Sequence, residues 1–264
     1  MNTIQVDVDG YRFLIEKQED VLYTVGHIAS GHCMDVVIDP EYNDFVLNGV
    51  RYDEKCSVKL PMSNAATKLM VKAVLQTLYE RQPSSVQFTN IKIVDNSTFD
   101  CDGVSMPLAN HNFLLYGKTW YHRHFGAKCG DAVIAEILVE ANQRLSQPVN
   151  MTFEDFCRFG GGDAQKLRRC WETGQTWHEL FQKINKKIGC GYFKNMQRLN
   201  VYFKVPDLTG IKFEIPITRV QRWQLNKTVT DIPQTRRLKP HRRFAGGCGK
   251  QVIGRTLTGG SVNV

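Results

Sequence analysis

Apolar and polar positions alternate in short runs along the first sixty residues. IQVDVDG, YRFLIEK, VLYTVGHI, MDVVIDP and DFVLNGVRY are rich in β-branched and aromatic residues, and Asp9-Gly10 and Asn48-Gly49 supply turn dipeptides. That pattern predicts antiparallel strands joined by tight turns. At Pro61 the period changes. Ser63 or Asn64 can cap a helix over AATKLMVKAVLQTLYERQ, whose Leu69, Val71, Ala73, Val74, Leu75 and Leu78 give a broad apolar face to pack on the sheet. Pro83 ends it, and SVQFTNIKIVD returns to strand alternation through Val86, Phe88, Ile91 and Ile93. A turn-rich stretch is expected up to Asn112.

Further along, DAVIAEILVEANQRL reads as a second helix with Asp131 as its cap. Residues 152–188 read as helix with breaks at Gly160-Gly161-Gly162 and at Gly174, and Thr152 and Asp155 stand at capping-box spacing. RLNVYFKV and IKFEIPI then alternate like strands on either side of a turn at Pro206 to Gly210. From Thr218 little periodicity is left. The expected organisation is therefore a mixed α/β region over 1–130, a helical segment returning to two strands over 131–217, and a tail over 218–264.

Charge sharpens the last boundary. The chain of 264 residues carries a formal +8, yet the stretch from Thr218 holds ten Lys and Arg against the single acid Asp231, so the remainder is close to neutral. Within it RRLKPHRRF presents Arg236, Arg237, Lys239, Arg242 and Arg243 with no acid between them. Such a run binds polyanions through phosphate or carboxylate contacts, and the glycines that follow keep it supple. No apolar run has the length of a membrane span, and the acidic, alternating start MNTIQVDVDG is unlike a signal peptide. The eight cysteines include no C-x-x-C pair. They are expected to be free, mostly buried thiols in a reducing compartment.

Candidate chemistry is sparse. Gly160-Gly161-Gly162-Asp163 lacks the Lys-Ser or Lys-Thr of a phosphate loop and reads as a hinge. His122 and His124 lie near Cys129 without a carboxylate at ligand spacing, and His27 and His32 flank Cys33 in the same bare way, so no metal is expected. Trp171, Trp177, Phe181 and Ile184 form an aromatic stripe among lysines and arginines, which suits either a core or a surface for stacking bases.

The segment Leu115-Tyr116-Gly117-Lys118-Thr119-Trp120-Tyr121-His122-Arg123-His124-Phe125-Gly126-Ala127 resembles a motif recurring in proteins of nucleocytoplasmic large DNA viruses that are described as similar to GNAT-type N-acetyltransferases. The resemblance spans roughly residues 40–130. It implies an α+β protein with an antiparallel, GNAT-like sheet and packed helices, to which the residues beyond the resemblance are expected to add a helical insertion and a basic extended C-terminal arm. It also implies that Tyr121 matches the tyrosine that protonates the leaving thiolate of acetyl-CoA. The family's glycine-rich pyrophosphate loop is replaced by Leu60-Pro61-Met62-Ser63-Asn64-Ala65-Ala66, and the aromatic turn is one residue out of register. The expectation is thus a non-enzymatic viral interaction protein with no cofactor, associated with the virion, the minor capsid or nucleic acid. Its partners would be viral structural proteins or nucleic acid held by the arm, and its place the host cytoplasm, the viral factory or the virion. The alternative is a divergent acyl-CoA-dependent transferase using Tyr121 and acetyl-CoA.

Overall fold

A computed structural model describes residues 3–18, 22–28, 31–39, 44–50, 53–82, 88–160 and 163–233. The basic run from Arg236 to Arg243 lies outside the described residues, as does Cys248.

The N-terminal alternation becomes a meander. Strands β1 (Thr3–Val8) and β2 (Tyr11–Lys17) join through Asp9-Gly10, both at positive φ (48° and 84°), the backbone a tight hairpin turn needs. Strands β3 (Leu22–Ile28), β4 (Gly31–Asp39) and β5 (Asp44–Val50) continue antiparallel. Asn48-Gly49 is not the turn its composition suggests. Val36 pairs with Leu47 and Asp35 with Gly49, so Asn48 is the extra residue of a bulge inside β5.

Helix α1 (Asn64–Glu80) follows, with the Ser63 side chain accepting from the Ala66 amide at 3.2 Å. It carries the chain across to β6 (Asn90–Val94), which pairs parallel with β5. Met70, Val71, Ala73, Val74, Leu75 and Leu78 of α1 are buried against Val6, Phe13, Ile15, Phe45, Leu47, Ile91 and Ile93 of the strands. Each buried Val, Leu, Ile, Phe or Met of this set contributes about 1.5–3 kcal/mol.

Between β6 and the next long strand lies the insertion. A hairpin of β7 (Thr98–Cys101) and β8 (Val104–Pro107) leads into α2 (Leu108–Tyr116) and α3 (Trp120–Phe125). After the two-residue β9 (Lys128–Cys129) come α4 (Ala132–Leu145), α5 (Phe153–Cys157), α6 (Ala164–Trp171), α7 (Trp177–Lys187) and α8 (Met196–Phe203). The chain returns through β10 (Lys212–Pro216), α9 (Ile217–Gln221) and β11 (Lys227–Ile232). The result is an α+β protein whose nine-stranded sheet has the order β11-β1-β2-β3-β4-β5-β6-β10-β9, antiparallel except at β5–β6. Two hydrophobic cores form, one under the sheet with α1, α3 and α9, the other inside the insertion around Phe156, Trp177, Phe181, Tyr192 and Phe203.

Four further expectations change. The stretch before Asn112 is a hairpin and the start of a helix, because Pro107 opens α2 and Ala109, Phe113, Leu114 and Leu115 are buried by it. Most of RLNVYFKV is helical, since α8 runs from Met196 to Phe203: Met196, Leu199 and Phe203, at helical spacing, reach the insertion core, while Val201 is left 79% exposed. The boundary at Ile217 falls inside the fold. Beyond it, Val220 is fully buried, β11 pairs with β1 from Thr3↔Ile232 to Val8↔Lys227, and Lys227 and Asp231 bond Glu80 of α1 and its C-cap Arg81. The compact unit ends at Pro233. Finally, Cys33–Cys56 and Cys101–Cys190 are disulfide-bonded, and Cys129, Cys157 and Cys170 are free. The residues of each pair, 23 and 89 positions apart, meet only because the fold brings their elements together. Among the described residues no helix is long and apolar enough to cross a membrane.

Candidate functional site

The one parallel unit of the sheet, β5–α1–β6, is where an open α/β arrangement places a ligand, at the carboxyl ends of the strands. Pairing between β5 and β6 runs from Phe45↔Ile91 to Leu47↔Ile93 and then stops. Past that point Gly49 and Val50 remain with β4, whereas Val94 remains with Lys212 of β10. The pairing stops because β6 ends at Val94, on the side where α1 begins.

Asp95 follows directly on β6. It is 2% exposed; its Oδ1 accepts from the Ser97 amide at 3.1 Å, and its Oδ2 has no partner. Burial raises its pKa, with the Ser97 bonds opposing the shift. Tyr121 stands next to it. Thr119 caps α3 by accepting from the His122 amide at 3.2 Å, and Gly126 ends the helix in the left-handed region at φ 68°. This short helix turns Tyr121 and Phe125, four residues apart, into the sheet core, with Trp120 set edge-on against both rings. Burial, then the nearby Asp95 carboxylate, pushes the pKa of the Tyr121 hydroxyl well above the usual phenol range, with the Ser97 side chain opposing the shift. Both shifts run toward the protonated form, chiefly because burial penalises the charged one. Tyr121 is 1% exposed, so it reaches Ser97 and Asp95 but not the solvent.

The histidines of the same helix do not converge. Because the segment is helical rather than extended, positions two apart point about 200° apart. His122 is depressed by burial and then by Lys118, Arg219 and Lys128; His124 is depressed to about 4 by burial and then by Lys68, Arg123 and Lys72. Each faces a different set of cations, which favours neutral imidazole on both sides. No group of three metal-ligating side chains occurs among the described residues.

The other sequence candidates have structural roles. Trp177, Phe181 and Ile184 are buried in the insertion core, and Trp171 packs on Phe156 with ring centres 4.8 Å apart. Asp163 caps α6 by accepting from Gln165 and Lys166 amides, and a Cβ on Gly160 would stand 2.3 Å from the Tyr192 carbonyl oxygen. Close backbone approach accounts for that glycine; Gly161 and Gly162 lie outside the described residues. Sequence reasoning missed Asp95 and His111. Both are polar residues inside stretches that read as strand end or turn, and only tertiary burial distinguishes them.

No protein-family model, no curated protein and no solved structure matches this chain.

Proposed function

We propose that this chain is a non-enzymatic interaction protein of a large DNA virus, associated with the virion or minor capsid, built on a GNAT-like sheet and docking through its basic C-terminal arm. The carrying observation is the state of Tyr121. An acid that protonates a leaving thiolate must touch it, and must release its proton near the working pH. Tyr121 is 1% exposed, and burial raises its pKa well above the usual phenol range, so it neither reaches a ligand from solvent nor gives up its proton readily. The loop before α1 offers no glycine for close approach of a pyrophosphate, and the Ala66 amide in the first turn is taken by the Ser63 side chain. Two disulfides also bear on location. Crosslinks persist at virion surfaces and in oxidising compartments and are rare in a reduced cytosol, which favours the particle over the factory.

A second reading, a divergent acetyl-CoA-dependent transferase, draws on the carboxyl ends of the parallel pair β5–β6 beside the start of α1, where the resemblance would put the cofactor. Calorimetric titration of the full chain with acetyl-CoA separates the two. No heat beyond dilution is expected. Saturable binding, with acetyl transfer to an amine that is lost in Tyr121→Phe, would replace the first reading by the second. Mass spectrometry of purified particles against infected-cell lysate tests the location, with enrichment in particles expected.

A further inference from the structure

Helix α3 carries cations on both flanks. Tyr121 and Phe125 point into the sheet core, so Arg123 is turned outward, with His122 and His124 to either side of it. Lys118 and Arg219 reach the His122 flank, whereas Lys68 and Lys72, four residues apart on α1, reach the His124 flank. Packing fixes these neighbours. The Arg219 guanidinium lies against Gly126, where an added Cβ would stand 2.4 Å from its Cζ. Lys72 sits over the Trp223 ring at 5.7 Å, and Gln76 of α1 donates to the Trp223 carbonyl, just beyond α9, at 2.9 Å.

None of Lys68, Lys72, Lys118, Arg123 and Arg219 forms an ion pair with a carboxylate among the described residues. Lys128 also reaches His122, but Glu214 stands opposite it in β10 and Asp131 follows three residues on, so its charge is locally offset. Asp95, beside Tyr121, is buried and does not come to this surface. Five unpaired cations around one short helix suit a polyanion. Arg123 narrows the choice. Its guanidinium sits 3.4 Å over the Tyr116 ring and Nη1 donates to Asn112 Oδ1 at 3.1 Å, while Arg123 and Tyr116 both stay exposed. A guanidinium held in this way offers a plane on which a nucleobase stacks, and the lysines beside it take phosphates. An acidic peptide would use the charges alone, and a duplex keeps its bases stacked on one another.

We infer that α3, with the adjoining residues of α1 and α9, binds a single strand of nucleic acid that crosses the helix, one base on the Arg123 plane and phosphates on Lys68, Lys72, Lys118 and Arg219. This surface belongs to the folded body and depends neither on the arm nor on the Tyr121 hydroxyl.

Fluorescence anisotropy with a labelled oligothymidylate tests it, using the full chain with Arg236, Arg237, Lys239, Arg242 and Arg243 replaced by alanine. Binding should persist, with log affinity falling against log salt at a slope of roughly −3 for four phosphates of a single strand. Lys68→Gln with Lys118→Gln, one from each flank, should halve that slope to roughly −1.5. Arg123→Lys keeps the charge and loses the plane, so it should keep the slope and weaken binding by about tenfold. An abasic oligomer of the same length should bind this variant and its parent equally, which also shows that the variant is folded. No binding once the arm is neutralised overturns the inference and leaves the arm as the contact for nucleic acid. Affinity indifferent to Arg123→Lys, or polyglutamate competing as well as the oligothymidylate at equal charge, overturns it too, because the surface would then read charge alone.

Discussion

His111 shows what a single buried group does to the whole. It is 7% exposed between the rings of Phe99 and Phe193, with centroids 4.8 and 5.0 Å away, and its Nε2 has no partner. Burial lowers its pKa to about 4, and a bond with Asn185 only partly opposes this. The fold therefore holds the neutral ring, while the unfolded chain titrates near 6.5. The unfolded state binds the proton first as pH falls, so this group's contribution is intact above about pH 6.5 and is lost progressively down to about pH 4. The loss amounts to about 3 kcal/mol. Urea unfolding of His111→Phe, compared with wild type at about pH 7 and pH 4, should show a smaller acid loss by roughly that amount. Equal losses in the two proteins would mean that the ring is protonated in the fold.

Among elements, the disulfides and the last strand carry the clearest consequences. Cys101–Cys190 ties the β7–β8 hairpin to the turn before α8 across 89 positions, and Cys33–Cys56 ties β4 to the segment before α1 across 23. By loop-closure entropy the longer link stabilises by about 4–5 kcal/mol and the shorter by about 3. Alkylation of the denatured, unreduced protein should spare Cys33, Cys56, Cys101 and Cys190, and reductant should expose them. Labelling of all four without reductant would restore the expectation of free thiols. The second consequence concerns the C-terminal edge of the fold. Cutting after Pro233 should leave the thermal transition within a few degrees of the full chain. Cutting after Ile217 removes β11, buried Val220, the Lys227–Glu80 and Arg81–Asp231 pairs and the bond from Gln76 to the Trp223 carbonyl. That loss should exceed about 3 kcal/mol, or roughly 6–12 °C. Equal melting temperatures for the two truncations would place the sheet edge at β1.

For the whole molecule, net charge and fold are separate facts. The described body ends at Pro233, and most of the positive excess lies beyond it, from Arg236 onward. If Arg236, Arg237, Lys239, Arg242 and Arg243 each neutralise one phosphate of duplex DNA, log affinity should fall with log salt at a slope of roughly −4 to −5. Fluorescence anisotropy with a labelled duplex reads this directly. Replacing the five residues by alanine should abolish binding to DNA or to an acidic protein groove alike, while Phe244→Ala should harm only the latter. Affinity that survives the fivefold replacement at high salt would remove the arm as the principal contact.

The chain's periodicity by itself determined the elements whose neighbours are local in sequence. The meander from β1 to β5, the capped helices α1 and α4 and the strand β10 follow from alternation, helical spacing and capping side chains, which act within a few residues. The basic run is likewise a property of composition. Tertiary structure decided the rest. RLNVYFKV alternates like a strand, yet it coils as α8 because the insertion core has room for Met196, Leu199 and Phe203 on one face and no strand is there to pair with it. β11 has almost no apolar signal, and is a strand because the edge of β1 offers backbone partners. Cys33 and Cys56, Cys101 and Cys190, and Tyr121 with Asp95 and Ser97 meet through folding alone. Burial and proximity between distant segments are set by the packing of the whole chain, and no local pattern of residues encodes them.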